Sequence, residues 1–264
     1  MRALDDARLA VSLLTAVPQK KSAWPETNRP DVAAWFPAVG YVFGLLSFAI
    51  IIAVQVVGVA SGRTELLGAM SAPLAVLIVV VWALLGRLLH WDGLADVADG
   101  YWGSDDPARR LEIMSDSHVG AFGAAALALT ATAQVVAVAT VIGGTGMMEM
   151  AVYTTPVFAR LATTIACWLG RPAKPEGLGA AFIGPPRLRA MVIAAVSVVI
   201  AAGLVVWAHG VAGAVWVMVV VMLAFGVPHM FSQRFGGVTG DVMGASVLVV
   251  ETAALLVAAC MAVW

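Results

Sequence analysis

Seven long apolar runs dominate this chain and restrict the folds that it can adopt. They cover residues 36–60, 66–89, 119–142, 147–169, 190–208, 211–232 and 243–263. A helix of about 20 predominantly apolar residues is long enough to cross a bilayer. Only 12% of the 264 residues are charged, whereas soluble domains carry about 25%. The sequence therefore predicts an all-α, polytopic membrane helix bundle of about seven transmembrane helices, in which residues 1–264 form a single integral membrane domain.

The basic residues indicate how this bundle is oriented. The segments before the first run and after the second, fourth and sixth runs carry twelve Lys and Arg residues, whereas the loops on the other side carry only Arg63. Because cytoplasmic loops are enriched in Lys and Arg, we expect a cytoplasmic N-terminal segment over residues 1–35 and a C-terminus outside. The polar motifs then face the cytoplasm, which favours an enzyme over a transporter. The net charge of −1 gives no indication of nucleic-acid binding.

The most polar stretch follows the second run directly and reads HWDGLADVADG over residues 90–100. If it is helical, Asp92, Asp96 and Asp99 share one stripe, because they are spaced i, i+4 and i+7. Three like charges on one stripe repel each other, and a divalent cation removes that repulsion. Hard oxygen ligands suit Mg²⁺, which is usually held by a few carboxylates together with substrate phosphates. We therefore predict a metal–phosphate site at the membrane surface.

Residues 90–118 are predicted to form a cytoplasmic catalytic loop that contains a short helix. An Asp-Pro pair at 106–107 suits the N-cap and first position of that helix. Two basic and two acidic side chains follow, namely Arg109, Arg110, Glu112 and Asp116. The acids would share one face of the helix. The arginines either pair with these acids or bind phosphate, and the sequence leaves both interpretations open.

Two charged residues lie inside the apolar runs. Arg160 is in the fourth run and Glu251 in the last, and a charge at such depth normally faces the bundle interior or a wet cavity. They either pair with each other, or Arg160 binds a phosphate; as a buried relay they would suit an ion-coupled transporter. A glycine-rich turn at 236–241 lets backbone N–H groups approach an anion, and its Asp241 is either a helix N-cap or a site residue.

Five segments resemble the cobalamin synthase family, also called adenosylcobinamide-GDP ribazoletransferases, in the same order over nearly the whole chain. Residues 90–100 resemble the family signature HxDGLADxxDG. The other four are LLTAVP at 13–18, RLEIMSDSHVG at 110–120, EGLG through FIG at 176–184, and GGVTGD at 236–241. The family has Arg more often at the position of His118.

The resemblance implies a Mg²⁺-dependent transferase of cobalamin nucleotide-loop assembly. A ribose hydroxyl of α-ribazole, or of its 5′-phosphate, would attack the phosphoryl group on the cobinamide arm of adenosylcobinamide-GDP, and GMP would leave. The predicted metal ligands are Asp92, Asp96 and Asp99. The predicted catalytic acid–base residues are His90 and Asp116. The predicted substrate and phosphate ligands are Arg109, Arg110, Arg160, Lys174 and Asp241.

The resemblance also implies a multi-pass protein of the bacterial cytoplasmic (inner) membrane, with its active site on the cytoplasmic face. The expected partners are the lipid bilayer, the two small-molecule substrates, and either a second copy of the chain or other corrinoid-pathway enzymes. The acids between Asp96 and Asp116 partly resemble those of CDP-alcohol phosphotransferases. A membrane enzyme of that kind is therefore the nearest alternative, ahead of the ion-coupled transporter.

Overall fold

The computed structural model describes residues 2–18, 28–144, 148–174, 177 and 179–263, and within these ranges the chain is helical. The α-helices are α1 (Arg2–Leu14), α2 (Phe36–Ala60), α3 (Leu66–Ala69), α4 (Ser71–Leu85), α5 (Leu89–Gly103), α6 (Pro107–Ile113), α7 (Ala121–Gly143), α8 (Glu149–Leu169), α9 (Leu188–Arg234) and α10 (Gly240–Ala262). Two 3₁₀ helices cover Pro30–Trp35 and Ala180–Phe182. The all-α prediction is confirmed.

Several of these helices are long and apolar enough to cross a membrane. Within the described residues, the stretches that meet this criterion are Pro30–Ala60, Ala121–Gly143, Leu188–Arg234 and Gly240–Ala262, with a fifth if the bent pair α4 and α5 counts as one span. The chain is therefore a polytopic membrane protein. The predicted number of seven crossings and the predicted sides of the termini stay predictions.

The longest helix, α9, is two helices joined at Gly210. Its 47 residues would extend about 70 Å as one rod, more than twice the ~30 Å hydrocarbon core. Gly210 has φ 57° and ψ −130°, which breaks the helical path. A Cβ on Gly213 would lie 2.5 Å from the Val205 carbonyl oxygen, so the chain folds back on itself. The predicted boundary between 190–208 and 211–232 is confirmed.

Helices α8 and α10 form the centre of the bundle. Helix α10 packs against α5, α7, α8 and α9, and α8 packs against α2, α9 and α10. Most residues of α8 are buried, so neighbouring helices rather than lipid surround it. This shielding explains how α8 accommodates buried polar side chains, namely Thr154, Thr155, Arg160, Thr163 and Thr164.

The structure divides the predicted helix 66–89 and shows how the predicted catalytic segment 90–118 is folded. The apolar run is divided into α3 and α4, and the chain then bends by 89° into α5. Arg87 (φ 53°) and Leu88 (φ 58°) form the bend in the left-handed region, which costs a non-glycine residue roughly 1–2 kcal/mol. Most of the supposed loop is helical because the apolar side of α5 is buried against α7 and α10. The bend and the three carboxylates favour a position of α5 at the membrane surface, outside the spanning segments.

Candidate active site

Helix α5 crosses the N-terminal end of α10 at two glycines. A Cβ on Gly93 would lie 2.8 Å from the Asp241 carbonyl oxygen and 2.9 Å from its Cα. A Cβ on Gly244 would lie 3.2 Å from the Cα of His90. The missing side chains let the two backbones touch, and this contact brings His90 and the acidic stripe of α5 next to the first turn of α10.

A cavity of about 320 Å³ lies beside this crossing. Its polar lining comes from His90, Thr163, Lys174, Thr239 and Asp241. Its apolar lining comes from Leu13, Leu14, Phe36, Leu89 and Phe182. The cavity therefore combines three of the predicted site residues with a wall supplied by the end of α1.

The glycine-rich segments meet at the same cavity. The Val238 N–H donates to the Arg171 carbonyl oxygen at 2.7 Å, and the Ala173 N–H donates to the Val238 carbonyl oxygen at 3.0 Å. A Cβ on Gly179 would lie 2.9 Å from the Gly240 nitrogen. Two segments that are far apart in sequence thus form one surface of closely packed backbone. Glu176 and Leu178, which belong to the first of them, lie outside the described residues.

Asp241 is not the N-cap of α10. That position is filled by Thr239, whose hydroxyl accepts the Val242 N–H at 3.1 Å. Asp241 lies in the first helical turn, half-buried and lining the cavity. Of the two interpretations left open by the sequence, helix capping is therefore wrong, and the carboxylate of Asp241 remains available to the cavity.

The carboxylate of Asp96 lies among other negative charges. Burial raises the pKa of Asp96 to about 6, and repulsion by Asp241, Asp92 and Asp99 adds to that shift. The like-charge repulsion expected along α5 is therefore present, and α10 contributes to it. Within the described part of the chain, no three His, Cys, Asp or Glu side chains are grouped closely enough to hold a metal ion by themselves.

Asp99 differs from the other two acids of the stripe because both of its carboxylate oxygens have partners. Oδ2 accepts the Gly120 N–H at 2.7 Å, and Oδ1 accepts the Gly123 N–H at 2.8 Å. These N–H groups belong to the first turn of α7, which has no intrahelical acceptors. Asp99 therefore caps α7 from a neighbouring helix, a structural task that its position in the sequence does not indicate.

His90 is buried and lines the cavity. Burial lowers its pKa to about 3, and the positive charge of Arg160 contributes. The imidazole is therefore neutral at pH 7 and can accept a hydrogen bond. A phosphate in the cavity would raise this pKa, since a nearby negative charge favours the protonated ring.

Asp116 lies in a different recess from His90. An open groove of about 470 Å³ is lined by Asp99, Arg109, Glu112, Asp116 and His118, among others. Asp116 accepts hydrogen bonds from the backbone and ring of His118, and these bonds lower its pKa. Helix α6 ends at Ile113, so the prediction that Glu112 and Asp116 share a helical face is wrong. Arg109 pairs with Glu112 at 2.6 Å.

Arg110 is buried, and three of its five N–H groups already donate to backbone carbonyls. Its guanidinium donates to the carbonyl oxygens of Ser104 at 2.6 Å, Arg234 at 2.8 Å and Tyr101 at 3.4 Å. It also stacks on the rings of Tyr101 and Phe235. These contacts join α5, α6 and the end of α9, and Arg110 lines neither the cavity nor the groove, so the structure gives its predicted role as a phosphate ligand no support.

Arg160 forms the ion pair that was one of its two predicted roles. Its Nη1 lies 2.8 Å from a carboxylate oxygen of Glu251, and both side chains are buried. The guanidinium stacks 3.9 Å from the centre of the Phe43 ring, and Gln134 donates to Glu251 at 3.3 Å. Phosphate binding by Arg160 is not supported, because its charge is neutralised inside the bundle.

Several cavity residues escaped the sequence analysis. Thr163 carries no signal that separates it from ordinary bundle residues, and Leu13 and Leu14 lie in the LLTAVP segment, for which the sequence indicated a resemblance but no role at the site. Thr239 does carry one, because a Thr directly before a helix is a common N-cap.

The chain matches the family model described as cobalamin-5-phosphate synthase over residues 6–259. Three similar proteins, each named adenosylcobinamide-GDP ribazoletransferase, illustrate the relationship. The protein of Corynebacterium efficiens is 36% identical over 82% of this chain and 76% of its own length. That of Frankia casuarinae is 36% identical over 96% and 94%, and that of Syntrophobacter fumaroxidans is 37% identical over 90% and 91%. No solved structure matches the chain.

Proposed function

Since this chain belongs to the cobalamin-5-phosphate synthase family, we propose that it joins adenosylcobinamide-GDP to α-ribazole or its 5′-phosphate and releases GMP. The similar proteins of Frankia casuarinae and Syntrophobacter fumaroxidans bear the name of this transferase, and each aligns with this chain over nearly its whole length. The observation that carries the proposal is the meeting of acidic and basic groups at one cavity. Asp241, Lys174 and His90 line it. Asp96 and Asp92 lie close enough to Asp241 for the three carboxylates to repel one another.

The donor set at this cavity fits Mg²⁺. Asp92, Asp96 and Asp241 repel one another, and a divalent cation between them would relieve that repulsion. Mg²⁺ is commonly held by one or two carboxylates plus substrate phosphates, so a complete protein cage is unnecessary. When bound, the ion would neutralise charge on the diphosphate and on the departing phosphate. Asp99 is a weaker candidate, because its oxygens already cap α7.

The reaction needs a group that takes a proton from the attacking ribose hydroxyl. The new bond joins this oxygen to the phosphorus on the cobinamide arm, and the phosphoanhydride bond to GMP breaks. His90 suits the role of general base, because it lines the cavity and a bound phosphate would raise its lowered pKa. Asp116 suits it less, because it lies in the separate groove.

The proposed phosphate-binding groups of the cavity are Lys174 and the glycine-rich turn. Lys174 is exposed there and close enough to Asp241 to attract its charge. The turn over residues 236–240 contains three glycines, and its Gly240 lines the cavity, where backbone N–H groups suit contact with anions. Arg109 is a weaker candidate, because it lines the separate groove and pairs with Glu112.

The membrane location follows from the same assignment. The distribution of Lys and Arg and the positive-inside rule support a bacterial cytoplasmic membrane protein with this cavity on the cytoplasmic face. Water-soluble substrates would reach the cavity from that side.

A transfer assay in liposomes tests the function and the site together. Purified protein would receive adenosylcobinamide-GDP, α-ribazole 5′-phosphate and Mg²⁺, and chromatography would follow GMP and cobamide. We expect stoichiometric formation of both products, loss of activity in EDTA, and at least 100-fold lower kcat in Asp96→Asn. Asp5→Asn is the matched control, because Asp5 is an exposed acid at the far end of α1.

Two results would contradict the proposal in different ways. No product from a folded wild-type protein would refute the transferase assignment. Products formed at the wild-type rate by Asp96→Asn, or in EDTA, would refute the metal site and leave the transferase intact.

A further inference from the structure

The bend between α4 and α5 has an arginine where glycine is the preferred residue. The Leu88 N–H donates to the Ala83 carbonyl oxygen at 2.8 Å, and the Arg87 N–H donates to the Leu84 carbonyl oxygen at 3.0 Å. This pair of bonds is the Schellman motif, whose first residue beyond the helix end is left-handed and usually Gly. Arg87 occupies that position with φ 53°, so its backbone is strained where a glycine would not be.

The side chain of Arg87 makes contacts that glycine cannot make. Its Nη2 donates to the carbonyl oxygens of Ser12 at 2.8 Å and Leu13 at 3.1 Å. Both carbonyls belong to the last turn of α1, which lacks intrahelical donors and contains no basic residue of its own. A cation at a helix C-terminus also interacts favourably with the helix dipole. Arg87 therefore caps α1 from a different part of the chain.

This end of α1 is part of the cavity wall. Leu13 and Leu14 line the cavity together with His90 and Leu89. The Ala16 N–H donates to the Leu85 carbonyl oxygen at 2.6 Å, which places a second contact between α1 and the end of α4. The bend that orients α5 and His90 is thus hydrogen-bonded to the end of α1, which lines the same cavity.

We propose that Arg87 is a positioning residue that holds α1 against the α4–α5 bend and so fixes one wall of the active-site cavity. A 13-residue helix is marginal by itself, so its last turn depends on these bonds. Loosening the wall weakens substrate binding more than it affects the chemical step, because Arg87 does not line the cavity. The kinetic part of this proposal rests on the proposed function.

Arg87→Gly tests the proposal, because it relieves the backbone and removes the side chain that donates to α1. We expect amide hydrogen exchange over residues 9–17 to become at least 10-fold faster in liposomes. We also expect KM to rise about 10-fold, with kcat within twofold of wild type. Arg87→Lys keeps the charge and one donor group, so it should give intermediate values. Leu88→Gly is the matched control, since it relieves the neighbouring left-handed residue without touching the contacts to α1, and should behave as wild type.

The proposal is overturned if Arg87→Gly matches wild type in both exchange and KM, or if Leu88→Gly reproduces the effects of Arg87→Gly. Exchange that rises while KM stays constant would also overturn it, because α1 would then be mobile without consequence for the cavity. A wild-type protein that forms no product refutes the proposed function, and the hydrogen-exchange comparison then decides the contact between Arg87 and α1 independently.

Discussion

Two arginines adjacent in sequence have opposite environments in this protein. The exposed Arg109 pairs with Glu112, whereas the buried Arg110 donates to carbonyl groups of three different residues. Sequence reasoning treated both as phosphate ligands, because the identity of a residue does not reveal which carbonyl oxygens surround it. The partner on Arg234 is 124 positions away, so only the folded bundle distinguishes the two roles.

Arg110→Lys should therefore reduce stability rather than phosphate affinity. Lysine cannot reproduce the fork of donors, and each lost bond to a charged group is worth about 1.5–3 kcal/mol. We expect the free energy of unfolding in detergent to fall by about 3 kcal/mol, with an unchanged KM in the fraction that remains folded. Arg109→Lys serves as the control and should change stability by less than about 0.5 kcal/mol. A raised KM in Arg110→Lys together with unchanged stability would contradict this assignment.

The raised pKa of Asp96 predicts how metal binding depends on pH. The carboxyl must lose its proton to bind a cation, and its pKa in the folded protein is about 6. Measured by Mn²⁺ paramagnetic resonance, affinity should fall about tenfold per pH unit below 6 and level off above it. Asp92→Asn removes one repelling charge, so its inflection should move to lower pH.

The stability of the metal-free protein should change with pH in the opposite direction to the metal affinity. An acid whose pKa rises on folding favours the fold in its protonated form, so the metal-free protein should lose stability as pH rises from about 4, the unfolded pKa, through 6. Added metal should remove this loss. A Mn²⁺ affinity that is independent of pH between 5 and 7 would show that Asp96 is not a ligand.

At the scale of helices, hydropathy predicted most of the fold. Helix α2 begins and ends where its apolar run does, and α7, α8 and α10 agree with their predicted runs to within three residues. Helix α5 stayed a conditional prediction from sequence, because its acidic stripe also suits a solvated loop and only contacts with α7 and α10 bury its other side. The site residues were easier to identify than to assign. The capping of α7 by Asp99, for example, depends on a contact 21 residues along the chain.

The hinge in α9 can be tested with two glycines of the same helix. A Cβ on either Gly203 or Gly210 meets nothing within 4 Å, so the two positions differ in backbone conformation alone. Gly210→Ala should destabilise the protein by about 1–3 kcal/mol, because its φ and ψ suit only glycine. Gly203→Ala lies in a regular helix and should be neutral or stabilising by up to ~1 kcal/mol. Thermal unfolding in detergent would compare them, and equal effects would argue against a strained hinge.

The crossing of α5 and α10 gives a second test among the helices. Gly93→Ala would insert a Cβ 2.8 Å from backbone of Asp241, which forces the two helices apart and separates the acids of the site. We expect kcat/KM to fall at least 100-fold while the protein remains inserted. Gly226→Ala is the control, because its Cβ would enter open space. Unimpaired activity in Gly93→Ala would mean that the crossing is not required for the site.

At the scale of the whole molecule, the prediction to test is the orientation of the bundle in the membrane. The predicted seven crossings count the two halves of α9 separately. Because seven is odd, a cytoplasmic N-terminus places the C-terminus outside. Alkaline phosphatase fused after residue 264 should then be active, and a green fluorescent protein fused there should be dark. The reverse pattern would contradict the predicted topology and require an even number of crossings.

The ion pair between Arg160 and Glu251 constrains the biogenesis of the protein. The two residues are 91 positions apart, an interval that a ribosome covers in about 5–20 s. During that time Arg160 has no counter-ion, and an unpaired Arg is costly to insert, at about 2.5–3.5 kcal/mol on the translocon scale. We therefore expect helix α8 to insert less readily by itself than after the last helix has been synthesised and supplies the carboxylate of Glu251.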